Sequence, residues 1–165
     1  MYYLNLFFVY SILGFLFEST VVRLLSSDYQ SGFVYGFWTP VYGIGVVIII
    51  LIYKFLSRYI KKEYIKTILL FLLSAVILSI IEFMGGILIE NIFNKIYWNY
   101  EGFRYNIGKY ISLETACIWG IGSVFIVYLI NPLIDKLVVK IPKVVTYILT
   151  FLFIVDLVIT FIVKL

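Results

Sequence analysis

The stretch Ser79-Ile80-Ile81-Glu82-Phe83-Met84-Gly85-Gly86-Ile87-Leu88-Ile89-Glu90 places a carboxylate deep inside an apolar run. At ~100° per residue, a single narrow arc of a helix holds Ala75, Ser79, Glu82, Gly86 and Glu90. Bulky Ile, Leu and Phe side chains occupy most of the other positions. A helix with this pattern has a defined inner face. If lipid surrounds the helix, the stripe of small and acidic residues must face protein or water.

The composition indicates that lipid does surround this helix. The chain is 64% hydrophobic and 13% charged, with a mean hydropathy of +1.09, whereas soluble domains are about half apolar and a quarter charged. The net charge of +4 does not indicate nucleic-acid binding, because the basic residues lie between apolar runs, as membrane topology requires. One cysteine, Cys117, and no histidine exclude an intrachain disulfide, His-based catalysis and the usual zinc sites.

Apolar runs long enough to cross a bilayer, about 20 residues each, occur at residues 2–25, 40–59, 67–91, 111–130 and 144–164. We therefore predict an all-α integral membrane bundle of about five transmembrane helices, forming a single domain over residues 1–165. Thr39-Pro40 predicts an N-cap followed by the first helical residue of the second span. Asn131-Pro132 is expected to stop the fourth span or to cap a short interfacial helix.

The distribution of basic residues predicts the orientation in the membrane. Residues 54–66 and 132–143 contain eight of the 13 Lys and Arg residues, and the positive-inside rule makes that side cytoplasmic. The N-terminus is then cytoplasmic, the C-terminus lies outside, and the loops at 26–38 and 92–110 face outward. We expect a multi-pass protein of a bacterial cell membrane.

A weak internal similarity links the second and fourth spans. Tyr42-Gly43-Ile44-Gly45 and Trp119-Gly120-Ile121-Gly122 occupy similar depths in these spans. Each stretch follows an aromatic loop and a span with a buried glutamate, Glu18 or Glu82. A parallel repeat of two helical hairpins is therefore a hypothesis for the fold.

Buried carboxylates are the candidate functional groups, because an ionised group near the centre of a membrane helix costs about 2.5–3.5 kcal/mol. Glu18 and Glu82 lie about 10 and 14 Å below the predicted outer ends of their helices. We predict an outward-facing binding site for a small solute, for which a cation is one candidate because aromatic rings and acids both attract it. The predicted site residues are Glu18, Tyr42, Glu82, Trp98, Tyr100, Asn106 and Glu114. The same acids could instead carry coupling protons.

Two other readings use the same residues. Arg23, Arg104 and Lys109 share the predicted outer side and could pair with the acids, which would make this an accessory or signalling protein with a structural ion-pair network. A lipid-active enzyme with Glu18 and Glu82 as an acid–base pair is the third. No phosphate-binding loop, nucleophile elbow or metalloprotease motif is present, so we expect no enzymatic activity, cofactor or metal. The glycines are expected at helix contacts, and Asp156 has only Thr160 as an obvious polar neighbour on its face.

Several motifs occur together in one order and spacing. The first half contains Tyr10-Ser11-x-x-Gly14-x-x-x-Glu18 and Gly32-Phe33-Val34-x-Gly36-x-x-x-Pro40-Val41-Tyr42-Gly43. The second half contains Glu82, Glu90-x-x-Phe93, Trp98-Asn99-Tyr100, Asn106-x-Gly108, Leu113, Trp119-Gly120 and Pro132. Over about residues 6–135, this set resembles the bacterial membrane proteins called Putative ABC-transporter type IV, or CmpB-like, with the fifth span largely outside the resemblance. Asn99 and Lys109 depart from the Asp and Arg that are usual in this family.

The resemblance implies a multi-pass bacterial membrane protein that acts as a transport permease. Its partners would be the lipid bilayer, a small solute of unknown identity and a separate ATPase on the cytoplasmic side, where residues 54–66 and 132–143 offer a basic surface. Five spans are too few to enclose a path alone, so a homo-oligomer or a second permease is expected.

Overall fold

A computed structural model describes residues 1–22, 24 and 33–165. Among these residues, five helices are long and apolar enough to cross a membrane, which confirms the all-α membrane fold. The predicted end of the first span at residue 25, the position of Arg23 and most of the loop at 26–38 lie outside the described residues. The proposed hairpin repeat and the single-domain assignment stay predictions.

The helices follow the apolar runs closely. Helix α1 is Tyr2–Phe17 and continues into a π-helical turn, Glu18–Val22. The next two helices are α2, Pro40–Tyr59, and α3, Glu63–Phe93. A two-stranded antiparallel hairpin, β1 (Asn106–Ile107) and β2 (Ile111–Ser112), precedes α4, Leu113–Phe125. The chain then forms a π-helical turn, Ile126–Ile130, followed by α5, Asn131–Val138, and α6, Lys143–Lys164.

Two helix boundaries differ from the predictions for physical reasons. Helix α3 begins at Glu63 rather than at residue 67 and includes the Lys66–Glu63 ion pair of its first turn, because helical hydrogen bonds continue past the apolar region. The fourth span continues beyond Asn131-Pro132 as one helical stretch, Leu113–Val138. In the π-helical turn before the proline, the N–H of Asn131 donates to the carbonyl of Ile126, and such turns accommodate local disruption of the α-helical pattern.

The chain divides into two compact units, residues 1–47 with 132–165 and residues 48–131. In the first unit, helices α1 and α2 approach closely at glycines. A Cβ added to Gly14 would lie 2.5 Å from the Tyr42 ring, and one added to Gly43 would collide with Ser11 Oγ and the Phe7 carbonyl. These two glycines are helix-contact positions, as predicted.

The second unit is built on the pairing of α3 with α4. A Cβ added to Gly120 of α4 would lie 2.6 Å from the Phe71 ring of α3, so this glycine also permits close helix packing. Gly86 has a different role, because its neighbour is the ring of Tyr110, just before β2. Gly122 faces open space. The expectation that the glycines serve as helix contacts is therefore met at Gly120 and not at Gly86 or Gly122.

Candidate functional site

The centre of the second unit is Glu82 on α3, which is buried, with 9% of its surface exposed. Its carboxylate accepts hydrogen bonds from two aromatic side chains. The Tyr100 hydroxyl donates to Oε1 at 2.5 Å, and the Trp119 indole N–H donates to Oε2 at 2.9 Å. Tyr100 comes from the segment after α3 and Trp119 comes from α4. Three parts of the chain therefore converge on one carboxylate.

The structure shows no basic partner for Glu82 within the described ranges. The ion pairs found there are Lys66–Glu63 and Lys109–Glu90, and the Arg104 guanidinium lies 5.3 Å from the centre of the Tyr105 ring. The predicted pairing of Arg104 or Lys109 with Glu82 is therefore wrong: Lys109 binds the acid two turns further along α3. Pairing by Arg23 lies outside the described residues.

Residues 94–112, here called the aromatic segment, are held against the last turns of α3. Lys109 Nζ donates to Glu90 Oε1 at 2.6 Å, and Tyr110 Oη donates to Glu90 Oε2 at 2.7 Å. The hydrogen bond to Glu90 raises the pKa of Lys109 above its ordinary value. Burial, assisted by the same carboxylate, raises the pKa of Tyr110 to about 12. The Lys109 amine and the Tyr110 hydroxyl therefore stay protonated at neutral pH, and their hydrogen bonds to Glu90 hold this end of the segment.

The other predicted residues of this unit lie in or beside the aromatic segment. The Trp98 ring packs edge-on against Tyr110, with centroids 5.8 Å apart. Asn106 Nδ2 donates to the carbonyl of Gly108 at 3.1 Å, so it stabilises the hairpin turn, where Gly108 has a φ of 65°. Glu114 Oε1 accepts from the backbone N–H of Tyr105 at 3.2 Å. Of the predicted set, the structure places Tyr100 directly on Glu82.

The Glu82 carboxylate has acceptor positions that its two donors do not use. A carboxylate offers about four acceptor positions, and two are used by described residues. Ser79, one turn earlier on the same face, has a buried hydroxyl with no hydrogen-bond partner in the described part of the chain. Both aromatic rings turn a polar edge, an O–H or an N–H, toward the carboxylate. The two rings therefore offer the carboxylate hydrogen-bond donors rather than their faces.

The first unit contains the remaining predicted residues, Glu18 and Tyr42. The Thr39 hydroxyl donates to Glu18 Oε2 at 3.3 Å, which connects the π-helical turn to the residue before α2. Tyr42 packs against Gly14 and lies 6.5 Å from Phe17, measured between ring centres. A single cavity formed by Glu18 together with Glu82 stays a prediction.

Asp156 on α6 holds a loop of the first unit, a role that its helical neighbours do not indicate. It accepts from the backbone N–H groups of Tyr35 at 3.1 Å and Gly36 at 3.0 Å, and from the Trp38 indole at 2.6 Å. At the end of the same helix, Lys164 Nζ donates to the carbonyl of Phe33 at 2.6 Å. Thr160 was the one polar neighbour of Asp156 visible in the helical pattern, and the partners that the structure shows come from residues 35–38 instead.

No group of three or more Cys, Asp or Glu residues within the described ranges is arranged to hold a metal ion. A family model described as Putative ABC-transporter type IV matches residues 5–164.

The chain belongs to this family.

This member of the Putative ABC-transporter type IV family is matched over nearly its whole length. The match includes the fifth span, which lies largely outside the resemblance described over about residues 6–135. The Asp156 cluster therefore falls inside the family region. No curated protein and no solved structure matches the chain.

Sequence reasoning did not include Trp119, Glu90 or Asp156 among the site residues. Trp119 and Glu90 carried a signal, since both belong to the motifs of the resemblance. Trp119 contacts Glu82 from another helix, and helical spacing within α3 contains no information about that partner. Asp156 had a signal only in being an acid inside an apolar run, because two of its three partners are backbone N–H groups.

Proposed function

We propose that this protein is a permease-like subunit of an ABC-type transporter that binds a small solute at Glu82. A single observation supports the proposal most strongly: a buried carboxylate accepts from two neutral donors, and no described basic side chain neutralises it. Such a group is costly in a membrane, and a solute that supplies the missing charge would offset that cost. A binding role explains this cost without any enzymatic step.

The solute class that best fits Glu82 is a small cation with N–H donors, such as a primary ammonium group. An ammonium has three donors and no acceptor, so it can use the two remaining acceptor positions of the carboxylate and, by displacing the Tyr100 hydroxyl, a third on Oε1. The buried Ser79 hydroxyl on the same face offers a neutral acceptor. Charge-assisted hydrogen bonds of this kind are roughly twice as strong as neutral ones.

Tyr100 acts in this proposal as a displaceable cover. Its hydroxyl donates to Glu82, so a cation that binds Glu82 competes with it for the same oxygen. The other end of the aromatic segment stays attached through Lys109 and Tyr110 to Glu90. The Tyr100 N–H donates to the Lys109 carbonyl at 2.7 Å, so solute binding would release the Tyr100 side chain from Glu82 while its backbone stays attached to the Glu90 end of the segment.

The orientation in this proposal follows from charge. The basic segment at 54–66, with five Lys and Arg residues and Glu63 as its one acid, lies at the first end of helix α3. The positive-inside rule then places the aromatic segment and the Glu82 site on the outer side of a bacterial cell membrane. A separate ATPase would dock on the cytoplasmic side, and a second copy or another permease would complete the path.

A second candidate is an accessory membrane protein without a transport path. The hydrogen bonds between helix carboxylates and loops favour this role, because Glu90 and Asp156 each hold a loop segment against a helix. In that case Glu82 would also be only an anchor for Tyr100.

A thermal-shift screen of purified protein against inorganic and organic cations tests the binding proposal. We expect a stabilising cation whose effect disappears in Glu82→Gln, which removes the charge and preserves the size. The control is Glu101→Gln, which removes an exposed acid of the aromatic segment and should leave the stabilisation intact. Stabilisation that persists in Glu82→Gln would exclude this residue from the site. No stabilisation by any cation would favour the accessory role.

A further inference from the structure

Residues 132–143 comprise most of α5, the turn after it and the first residue of α6, and are here called the lysine segment. Its inner side is fixed to the rest of its unit. Tyr2 Oη donates to Asp135 Oδ1 at 2.6 Å, and Asn5 Nδ2 donates to the carbonyl of Val138 at 3.3 Å. The Val138 side chain is fully buried. The Thr146 hydroxyl completes this network by donating to Asn5 Oδ1 at 2.5 Å, so Asn5 of α1 links the end of α5 to α6.

The outer side of the lysine segment combines lysines with exposed leucines. Leu133 is 68% exposed and Leu137 is 55% exposed. At ~100° per residue, Lys136 lies on the same arc of α5 as these two leucines. Lys140 follows in the turn and Lys143 begins α6, and both are exposed. Apolar and basic side chains therefore share one surface.

The charge of this surface is not neutralised within the described part of the protein. Lys136, Lys140 and Lys143 form no ion pair with any described residue. The one acid of the segment, Asp135, accepts from Tyr2 on the inner side. Three lysines and one acid give the segment a net charge of 3 − 1 = +2, and the positive charge lies on the outer side.

The length of the fourth span places this surface at the membrane boundary. The helical stretch Leu113–Val138 has 26 residues and is about 39 Å long at 1.5 Å per residue. The hydrocarbon core of a bilayer is about 30 Å thick. The stretch exceeds this core by about 9 Å, so its end extends into the headgroup region. Lys136 lies in the last turn of that end, Lys140 follows in the turn and Lys143 begins the next span.

We propose that the lysine segment binds the phosphate group of an anionic phospholipid. Lysine ammonium groups at the headgroup level donate to the phosphate oxygens, while Leu133 and Leu137 contact the acyl chains. The phosphate of an anionic lipid has no positive group beside it in the headgroup, and the exposed lysines supply one. The phosphate of a zwitterionic lipid is already neutralised by its own headgroup. This inference does not depend on solute binding at Glu82.

The test compares lipid binding by the purified full-length protein in detergent. The probes are phosphatidylglycerol, phosphatidylcholine and inorganic phosphate, and native mass spectrometry gives the bound fraction of each lipid. The variant Lys136→Gln/Lys140→Gln removes two charges of the surface. Its matched control is Lys61→Gln/Lys62→Gln, which removes two exposed charges from the other basic segment.

We expect the wild type and the control to prefer phosphatidylglycerol over phosphatidylcholine, and the test variant to bind phosphatidylglycerol roughly ten- to thirty-fold more weakly. Inorganic phosphate should not displace the lipid, because it lacks acyl chains. Equal losses in the two double variants would show a diffuse charge effect and overturn the proposal. Displacement of the lipid by inorganic phosphate would also overturn it. So would an unchanged affinity of the test variant for phosphatidylglycerol, and this result would favour a protein partner at this surface.

Discussion

Replacing Asp156 by asparagine should destabilise the first unit by about 1–3 kcal/mol. The carboxylate of Asp156 accepts three N–H groups, from Tyr35, Gly36 and Trp38. An asparagine amide has one oxygen, so its NH₂ group must face at least one of these donors. The best orientation keeps the two donors of Oδ2 and leaves the partly buried Tyr35 N–H without an acceptor. An unsatisfied donor of this kind, facing an NH₂ group, costs about 1–3 kcal/mol.

The assay is thermal unfolding in detergent, followed by intrinsic fluorescence. For a chain of this size, about 1 kcal/mol corresponds to roughly 2–4 °C, so Asp156→Asn should lower the midpoint by roughly 2–12 °C. Asp135→Asn is the matched control, because Asp135 accepts a single hydroxyl from Tyr2 and an amide oxygen can replace that acceptor. If Asp156→Asn is no less stable than Asp135→Asn, the reasoning about the loop anchor is refuted.

Three further predictions follow from the geometry. Gly86→Ala should lower the free energy of unfolding by about 1–3 kcal/mol through overpacking, since its Cβ would lie 2.5 Å from the Tyr110 ring. Gly122→Ala is the control, because its Cβ would face open space and should not destabilise the protein. Chemical unfolding measures the free energy of unfolding of both variants. The pKa of Tyr110 is raised from 10.0 to about 12, so its contribution to stability is present below pH 10 and is lost toward pH 12. The alkaline fall in the unfolding midpoint should therefore be smaller in Tyr110→Phe. In a variant without the native cysteine, Lys61→Cys should react with impermeant thiol reagents added on the cytoplasmic side, and Asn99→Cys should react with reagents added outside. The reverse pattern would contradict the proposed membrane orientation.

The membrane spans could be predicted because hydropathy and helix length act along the chain. Helix α2 begins and ends where the sequence indicated, at Pro40 and Tyr59, since Thr39-Pro40 marks a helix start. The other ends are less accurate because backbone hydrogen bonds continue where hydropathy falls. At Pro132 a π-helical turn preserves the helix, and sequence patterns do not distinguish this outcome from a stop.

The Glu82 site was partly predictable. A carboxylate in an apolar run identified Glu82, and a nearby aromatic loop identified Tyr100. The choice of partners was not predictable, because Lys109 could reach either Glu82 or Glu90 and the structure shows the second pair. The partner of a side chain depends on which separate elements pack together, as Trp119 of α4 does with Glu82 of α3. A backbone donor such as the Tyr35 N–H cannot be recognised from the sequence, because every residue except proline has one.

Affinity measurements on Tyr100→Phe provide the most direct test of the proposed role of Glu82. This variant preserves the carboxylate and the aromatic ring but removes the hydroxyl that donates to Glu82. A cation that binds wild-type protein should bind Tyr100→Phe more tightly, by roughly five- to ten-fold for the loss of one competing hydrogen bond of about 1 kcal/mol. Equal affinities for Tyr100→Phe, Glu82→Gln and the wild type, measured by calorimetric titration with that cation, would contradict binding at Glu82.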